Sequence, residues 1–282
     1  MKKIIVCVIL LLSVESIYSQ KTAEDYFKIS ATKKDFNVKL LDLNKAIELK
    51  PDFTEAYFAR GLAKSELKDY EGAINDFDKV IQLNPNHAEA FHYRALTKEA
   101  ALMKNESSIK DPKNSMQDYK GTIEDFNMAI HLKPDYAKAY YNRGMVKGNL
   151  QDYEGAVTDY SKAIQLHPDF VDAYINRGII KSKMTDFSGA LEDFNFVIKI
   201  DKKNDQAFYN RACVKFKLQD DKGAIEDNTK AIEINANFAE AYYNRGLSMY
   251  ILGDKSAACL DLKKASILGF PEAKEIIAEY CK

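Results

Sequence analysis

A close recurrence with a period of about 34 residues restricts this chain more than any other feature. The stretch Ala139–Phe170, AYYNRGMVKGNLQDYEGAVTDYSKAIQLHPDF, returns with close variants along the sequence. AYFARG at Ala56, AFHYRA at Ala90, AYINRG at Ala173, AFYNRA at Ala207 and AYYNRG at Ala241 open equivalent units. The openings keep one constant step, except for a longer one from Ala90 to Ala139. Within a unit, two helical stretches flank a turn such as Lys68-Asp69-Tyr70 or Gln151-Asp152-Tyr153. In the second stretch Ala156, Tyr160, Ala163 and Ile164 fall at i, i+4, i+7 and i+8, which is one apolar face of a helix. Asn84-Pro85 and His167-Pro168 end such helices, because the residue before proline avoids the α region. One hairpin cannot bury its own apolar face, whereas a stack of hairpins can. Only 6 Pro and 12 Gly in 282 residues are available to interrupt them.

A period of this length that runs aromatic, Gly or Ala, Ala, Phe or Tyr, then Pro resembles the tetratricopeptide-repeat family. In unit 54–87 these places are taken by Tyr57, Gly61, Ala73, Phe77 and Pro85. Units 137–170, 171–204, 205–238 and 239–270 keep the register, and LLDLNKAIELKPDF makes 20–53 a degenerate first unit. Lys202 and Ala236 replace the closing proline, Asn228 replaces the second aromatic, and Arg stands where the family places leucine before the glycine. The resemblance implies an all-α fold: a right-handed superhelical solenoid of about seven antiparallel hairpins in one elongated domain over 20–282, capped by 271–282. Unit 88–136 is 15 residues too long. Its surplus, Met103–Gln117, reads as a solvated loop, or as an extended first helix followed by a loop. Such an insertion is either functional or merely tolerated at the surface.

The first residues are a separate object. Lys2-Lys3, the apolar run Ile4–Leu12 and the small Ser19 form the pattern of a cleavable signal peptide over 1–19, with an uncleaved anchor as the alternative. The expected location is therefore exported, periplasmic or secreted, with no transmembrane segment left after cleavage. A net charge of −1 gives no electrostatic footprint for nucleic acid. No nucleotide-binding loop, nucleophile elbow or metal-ligand spacing occurs, so we expect no cofactor, no metal and no enzyme. The acidic pairs Glu124-Asp125, Glu192-Asp193 and Glu226-Asp227 recur in register, which is the behaviour of structure rather than of a catalytic pair.

One of those acids has a partner series. Asp76, Asp125, Asp159, Asp193, Asp227 and Asp261 fill one place of the second helix; Arg60, Arg94, Arg143, Arg177, Arg211 and Arg245 fill one place of the first. A charge in a packed position is costly unless paired, so the matching series point to an ion-pair ladder along the inter-helix seam. A basic stripe for an anionic ligand is the alternative.

In tetratricopeptide arrays the first helices line the concave face where partner peptides bind. Carried onto this chain, that face holds Phe58, His92, Tyr141, Met145, Ile175, Tyr209 and Tyr243, together with Leu62, Leu96, Ile179, Cys213 and Leu247. This strip is either a groove or packing inside the array. The family's carboxylate clamp is incomplete, since Asn142, Asn176, Asn210 and Asn244 supply only its asparagine. Near the end, Cys259 and Cys281 lie at matching distances from the turn at Gly269-Phe270-Pro271 on two antiparallel helices, which predicts a disulfide. Cys213 then remains unpaired. The function implied is a non-catalytic protein–protein interaction scaffold of the cell envelope or secreted space. A structural subunit of an envelope complex, or an accessory subunit of an envelope polysaccharide enzyme, are the alternatives; neither the partner nor the oligomeric state is written in the sequence.

Overall fold

The computed structural model describes residues 21–104 and 112–281. Among the described residues are fifteen α-helices and no strand. Backbone packing groups the chain into two compact units. The first ends at Pro134 and holds three hairpins: α1 (Ala23–Ala31) with α2 (Phe36–Leu49), α3 (Thr54–Glu66) with α4 (Tyr70–Leu83), and α5 (Ala88–Lys104) with α6 (Pro112–Leu132). The second starts at Asp135 and holds four: α7 (Ala137–Asn149) with α8 (Tyr153–Leu166), α9 (Val171–Lys183) with α10 (Phe187–Ile200), α11 (Asp205–Lys217) with α12 (Asp221–Ile234), and α13 (Ala239–Ile251) with α14 (Lys255–Ile267). A short α15 (Glu272–Tyr280) closes it. Stacked hairpins touch mainly their neighbours, so no common core obliges such a chain to form one body.

The long unit differs from the expected loop. Helix α6 already begins at Pro112, so the second part of the Met103–Gln117 surplus is helical backbone, and α5 runs on to Lys104. Proline suits the first turn of a helix, where its missing N–H costs nothing. The segment 105–111 and the expected signal peptide, 1–19, lie outside the described residues.

Local chemistry sets the hairpin turns. Asp69, Asp152, Asp186, Asp220 and Asp254 cap the second helices, each accepting from the N–H three residues ahead. The residue before the cap adopts the left-handed conformation: Lys68, Gln151, Thr185 and Gln219 at φ 62–64°, and Gly253 at φ 91° in the last hairpin. Helix ends do not need the closing proline. Asp201 and Asn235, which precede Lys202 and Ala236, turn the chain as Asn84 does before Pro85, with φ −128°, −129° and −137°. In all three, the side-chain oxygen accepts from the N–H two residues on.

Within a hairpin the helices meet where the first carries Gly or Ala. A Cβ on Gly178 would stand 2.8 Å from the ring of Phe194, and one on Gly61 2.8 Å from Phe77. Phe77, Phe126, Phe194 and Leu262 are fully buried at this crossing. Close approach at the small residue is what fixes how each first helix presents its outer side.

Candidate partner-binding face

The seam beneath the face is held by charge. Arg60 binds Asp76 through Nε (2.9 Å) and a terminal nitrogen (2.6 Å). Arg143 and Asp159 (2.8 and 2.5 Å), Arg177 and Asp193 (2.9 and 2.6 Å), Arg211 and Asp227 (2.8 and 2.6 Å), and Arg245 and Asp261 (2.6 and 2.9 Å) repeat this fork. Arg94 makes the same two bonds to Asp125. The remaining terminal nitrogen reaches back to the second helix of the preceding hairpin: Arg60 to Asn44 (2.8 Å), Arg94 to Asp78 (2.5 Å), Arg177 to Ser161 (3.0 Å), Arg211 to Asn195 (2.6 Å) and Arg245 to Thr229 (3.1 Å). Each guanidinium also lies over the ring three residues before it, at 5.2 Å for Tyr57 and 5.4 Å for Tyr174. Each of these five arginines thus joins the two helices of its own hairpin to one of the preceding hairpin.

Sequence reasoning missed the second cation. Lys64, Lys98, Lys147, Lys181 and Lys215 reach the same buried carboxylates at 2.8, 2.7, 2.8, 3.1 and 2.8 Å. Lysine on an amphipathic helix reads as solvated; only its constant four-residue offset from each Arg marks it. In the last hairpin Met249 takes that place, and Asp261 has the arginine alone among these two cations.

Above the seam, the strip is half-buried and its rings are engaged at one edge. Tyr141 packs on Phe170 (centroids 4.7 Å) and Tyr160 (5.8 Å), and its hydroxyl accepts from Asn176 Nδ2 at 2.9 Å. Tyr209 packs on Phe238 (4.8 Å) and Tyr243 on Phe270 (4.7 Å), the aromatic that closes each unit. In the first compact unit Phe58 meets His87 (4.9 Å), Tyr93 (5.7 Å) and Phe77 (5.8 Å). His92 is a correction. It is 3% exposed, wedged edge-on against Phe126 and Tyr93, and presents no surface to a partner. Ile175 and Met145 are half-buried. Burial pushes the Tyr141 and Tyr209 phenols and the Cys213 thiol above their ordinary values, and Asn244 donates to Cys213 Sγ at 3.3 Å.

Two open hollows follow one another on this side of the second compact unit. One lies between α7 and α9 and is lined by Met145, Gly148, Asn176, Ile179 and Lys183 with Tyr160 among its walls. The other, between α9 and α11, is lined by Ile179, Ser182, Lys183, Asn210, Cys213 and Lys217 with Phe194. Ile179 and Lys183 belong to both. Each hollow offers an apolar wall, an amide and a lysine within one repeat step, a pattern that takes an extended chain with apolar side chains and backbone carbonyls or acids.

Elsewhere the structure joins Cys259 to Cys281 in a disulfide that ties α14 to the end of α15, with Cys213 free. Glu99 on α5 is buried with no partner for Oε1, and burial alone raises its carboxyl to about 7. Among the described residues no group of three or more His, Cys, Asp and Glu side chains could hold a metal ion.

The tetratricopeptide-repeat family model matches residues 54–87 and 137–170, and a second model of the same repeat matches 205–238. A comparison with curated proteins finds no significant match. Among solved structures, the C-terminal part of a tetratricopeptide-repeat protein from Cytophaga hutchinsonii is 19% identical, with a TM-score of 0.66 over 88% of this chain and 94% of that one. A repeat protein from Parabacteroides merdae is 19% identical with a TM-score of 0.63, covering 92% and 99%. YrrB, described as having an unusual peptide-binding site, is 22% identical with a TM-score of 0.57, covering 71% and 95%. At these identities the likeness is one of fold.

Proposed function

Because the chain belongs to the tetratricopeptide-repeat family, we propose that it is a non-catalytic scaffold that binds an extended segment of a partner protein along the first-helix side of its second compact unit. The observation that carries this reading is the pair of hollows sharing Ile179 and Lys183, spaced by one repeat and rimmed by Asn176 and Asn210. Tyr141 and Tyr209 hold the rims in place through their stacking on Phe170 and Phe238, so their role is to shape the groove as well as to touch the partner. The peptide-binding site named for YrrB, a protein of the same fold, supports peptide as the ligand class. The site of action is the cell envelope or the secreted space, after removal of residues 1–19. Lys2-Lys3 and the apolar run that follows support this, and no helix among the described residues is long and apolar enough to cross a membrane.

A photo-crosslinking residue placed at Ile179 tests the groove, with the same residue at the exposed Glu192 of α10 as control. In the native host one partner chain should crosslink from 179 and not from 192. Equal crosslinking from both positions, or from 192 alone, would move binding to the second-helix side. Intact-mass measurement of the exported protein should show a chain beginning at Gln20.

A further inference from the structure

The junction between α12 and α13 departs from the one before it. In the earlier junction Ala190 and Phe194 of α10 form one buried apolar cluster with Val214 of α11. One repeat on, Asn228 stands in the place of Phe194 and Ser248 in that of Val214. The same register that puts Phe194 against Val214 therefore sets Asn228 against Ser248. Asn228 is 1% exposed and Ser248 0%. Neither the amide nitrogen nor the amide oxygen of Asn228 has a hydrogen-bond partner in the protein, and the Ser248 hydroxyl has none either. Buried polar atoms without partners are uncommon, and here they come from two residues at one place.

The surroundings fit a small occupant. An Asn–Ser pair fills less space than a Phe–Val pair, and a water molecule needs only about 30 Å³ with two to four polar partners. Asn228 offers donors and an acceptor; Ser248 offers one donor and accepts as well. Neither carries a charge, so the pair has nothing with which to neutralise an ion. The repeat register puts Phe216 at the rim. A Cβ on Gly148 would lie 3.3 Å from Ile180, and the counterparts of that pair two units later are Phe216 and Ser248. Gly148 and Ser182, small residues, hold the equivalent place at the two open hollows; here an aromatic ring holds it.

We propose that the α12/α13 junction is a closed binding site for a small neutral group that both donates and accepts hydrogen bonds, held by Asn228 and Ser248 with Phe216 over its entrance. Two sources share that chemistry: a water molecule taken up as the hairpins pack, and a small primary amide entering from the first-helix side. The proposal does not depend on the partner-binding reading.

Nuclear magnetic resonance on the mature chain separates the sources. The Asn228 side-chain amide protons should show cross-relaxation with a long-lived water, and acetamide is then titrated in. Retention of the water contact assigns the site to water; its loss, with saturable shifts at Asn228 and Ser248, assigns it to the amide. The double variant Asn228→Leu with Ser248→Val should lose both contacts and melt about 2–6 °C higher, because no buried polar atom is left unpaired. Leu262 already fills the counterpart of position 228 in α14, and Phe126 fills it in α6 opposite Ala95, the equivalent of Ala212, so an apolar side chain is accommodated there. Absence of both water and acetamide contact in the wild type overturns the proposal whatever the variant does. A long-lived water still seen from the backbone amide protons of residues 228 and 248 in the double variant overturns it too.

Discussion

Replacing Arg177 by alanine tests whether the ladder is structural. Asp193 is 3% exposed and receives two bonds from Arg177 and one from Lys181. Removing one member of a buried ion pair costs about 3–5 kcal/mol when the other is stranded. Lys181 stays 3.1 Å from the carboxylate, which brings this contribution to about 2–3 kcal/mol. Loss of the bond to Ser161 adds about 1 kcal/mol, and loss of the stacking on Tyr174 about 0.5 kcal/mol. The sum is about 3.5–4.5 kcal/mol, or a fall in melting temperature of about 7–18 °C for a chain of this size. Circular dichroism during thermal and urea unfolding at pH 7 measures it. The structure supplies an internal control. Asp261 has no lysine equivalent to Lys181, because Met249 stands there. Arg245→Ala should therefore cost more than Arg177→Ala. Replacing Arg177 and Asp193 together by leucine should recover most of the loss, since no buried charge remains on that rung except a lysine able to reach solvent. An Arg177→Ala protein as stable as the wild type refutes this reasoning. If that variant also loses its partner, the arginines form a stripe for an anionic ligand.

Three further outcomes follow from single residues. Glu99 holds its proton up to about pH 7 in the fold but only to about 4.5 when free. Its contribution to stability is therefore greatest in acid and is lost as pH rises through about 7; Glu99→Gln should be more stable than wild type at pH 8 by about 1–3 kcal/mol and level with it near pH 4.5, as read from urea unfolding across pH. Thr185 is β-branched at φ 64°, where the last hairpin uses Gly253, so Thr185→Gly should gain about 0.5–1 kcal/mol; an unchanged or lower midpoint would show the turn to be unstrained. Cys281→Ser opens a link between residues 22 apart, worth about 3 kcal/mol in the chain-entropy model. Helix α15 buries only Ala273, so its amides should lose hydrogen-exchange protection in the variant while those of α9 and α10 keep theirs.

The repeat period by itself determined the hairpins, because helix length, turn and small-residue crossing recur together and any one copy reads the others. It also determined the partners of Arg60 and its successors. In every regular unit from 54 onward two opposite charges stand at one constant offset, and the long unit keeps both in the same helix places. Equal distances of Cys259 and Cys281 from one turn brought them to the same level on antiparallel helices. Other features depend on what lies across a contact, and sequence spacing is silent there. His92 shares its register with Tyr141 and Tyr209, but Phe126 and Tyr93 close over it, so equivalence of position did not give equivalence of exposure. The lysines that share each Asp lay hidden because a charged residue on an amphipathic helix is ordinarily solvated. Likewise, Asn228 and Ser248 each look like an ordinary lapse from consensus. Only packing one hairpin against the next sets them against each other and takes water away from both, and desolvation is a property of the assembled junction rather than of either residue.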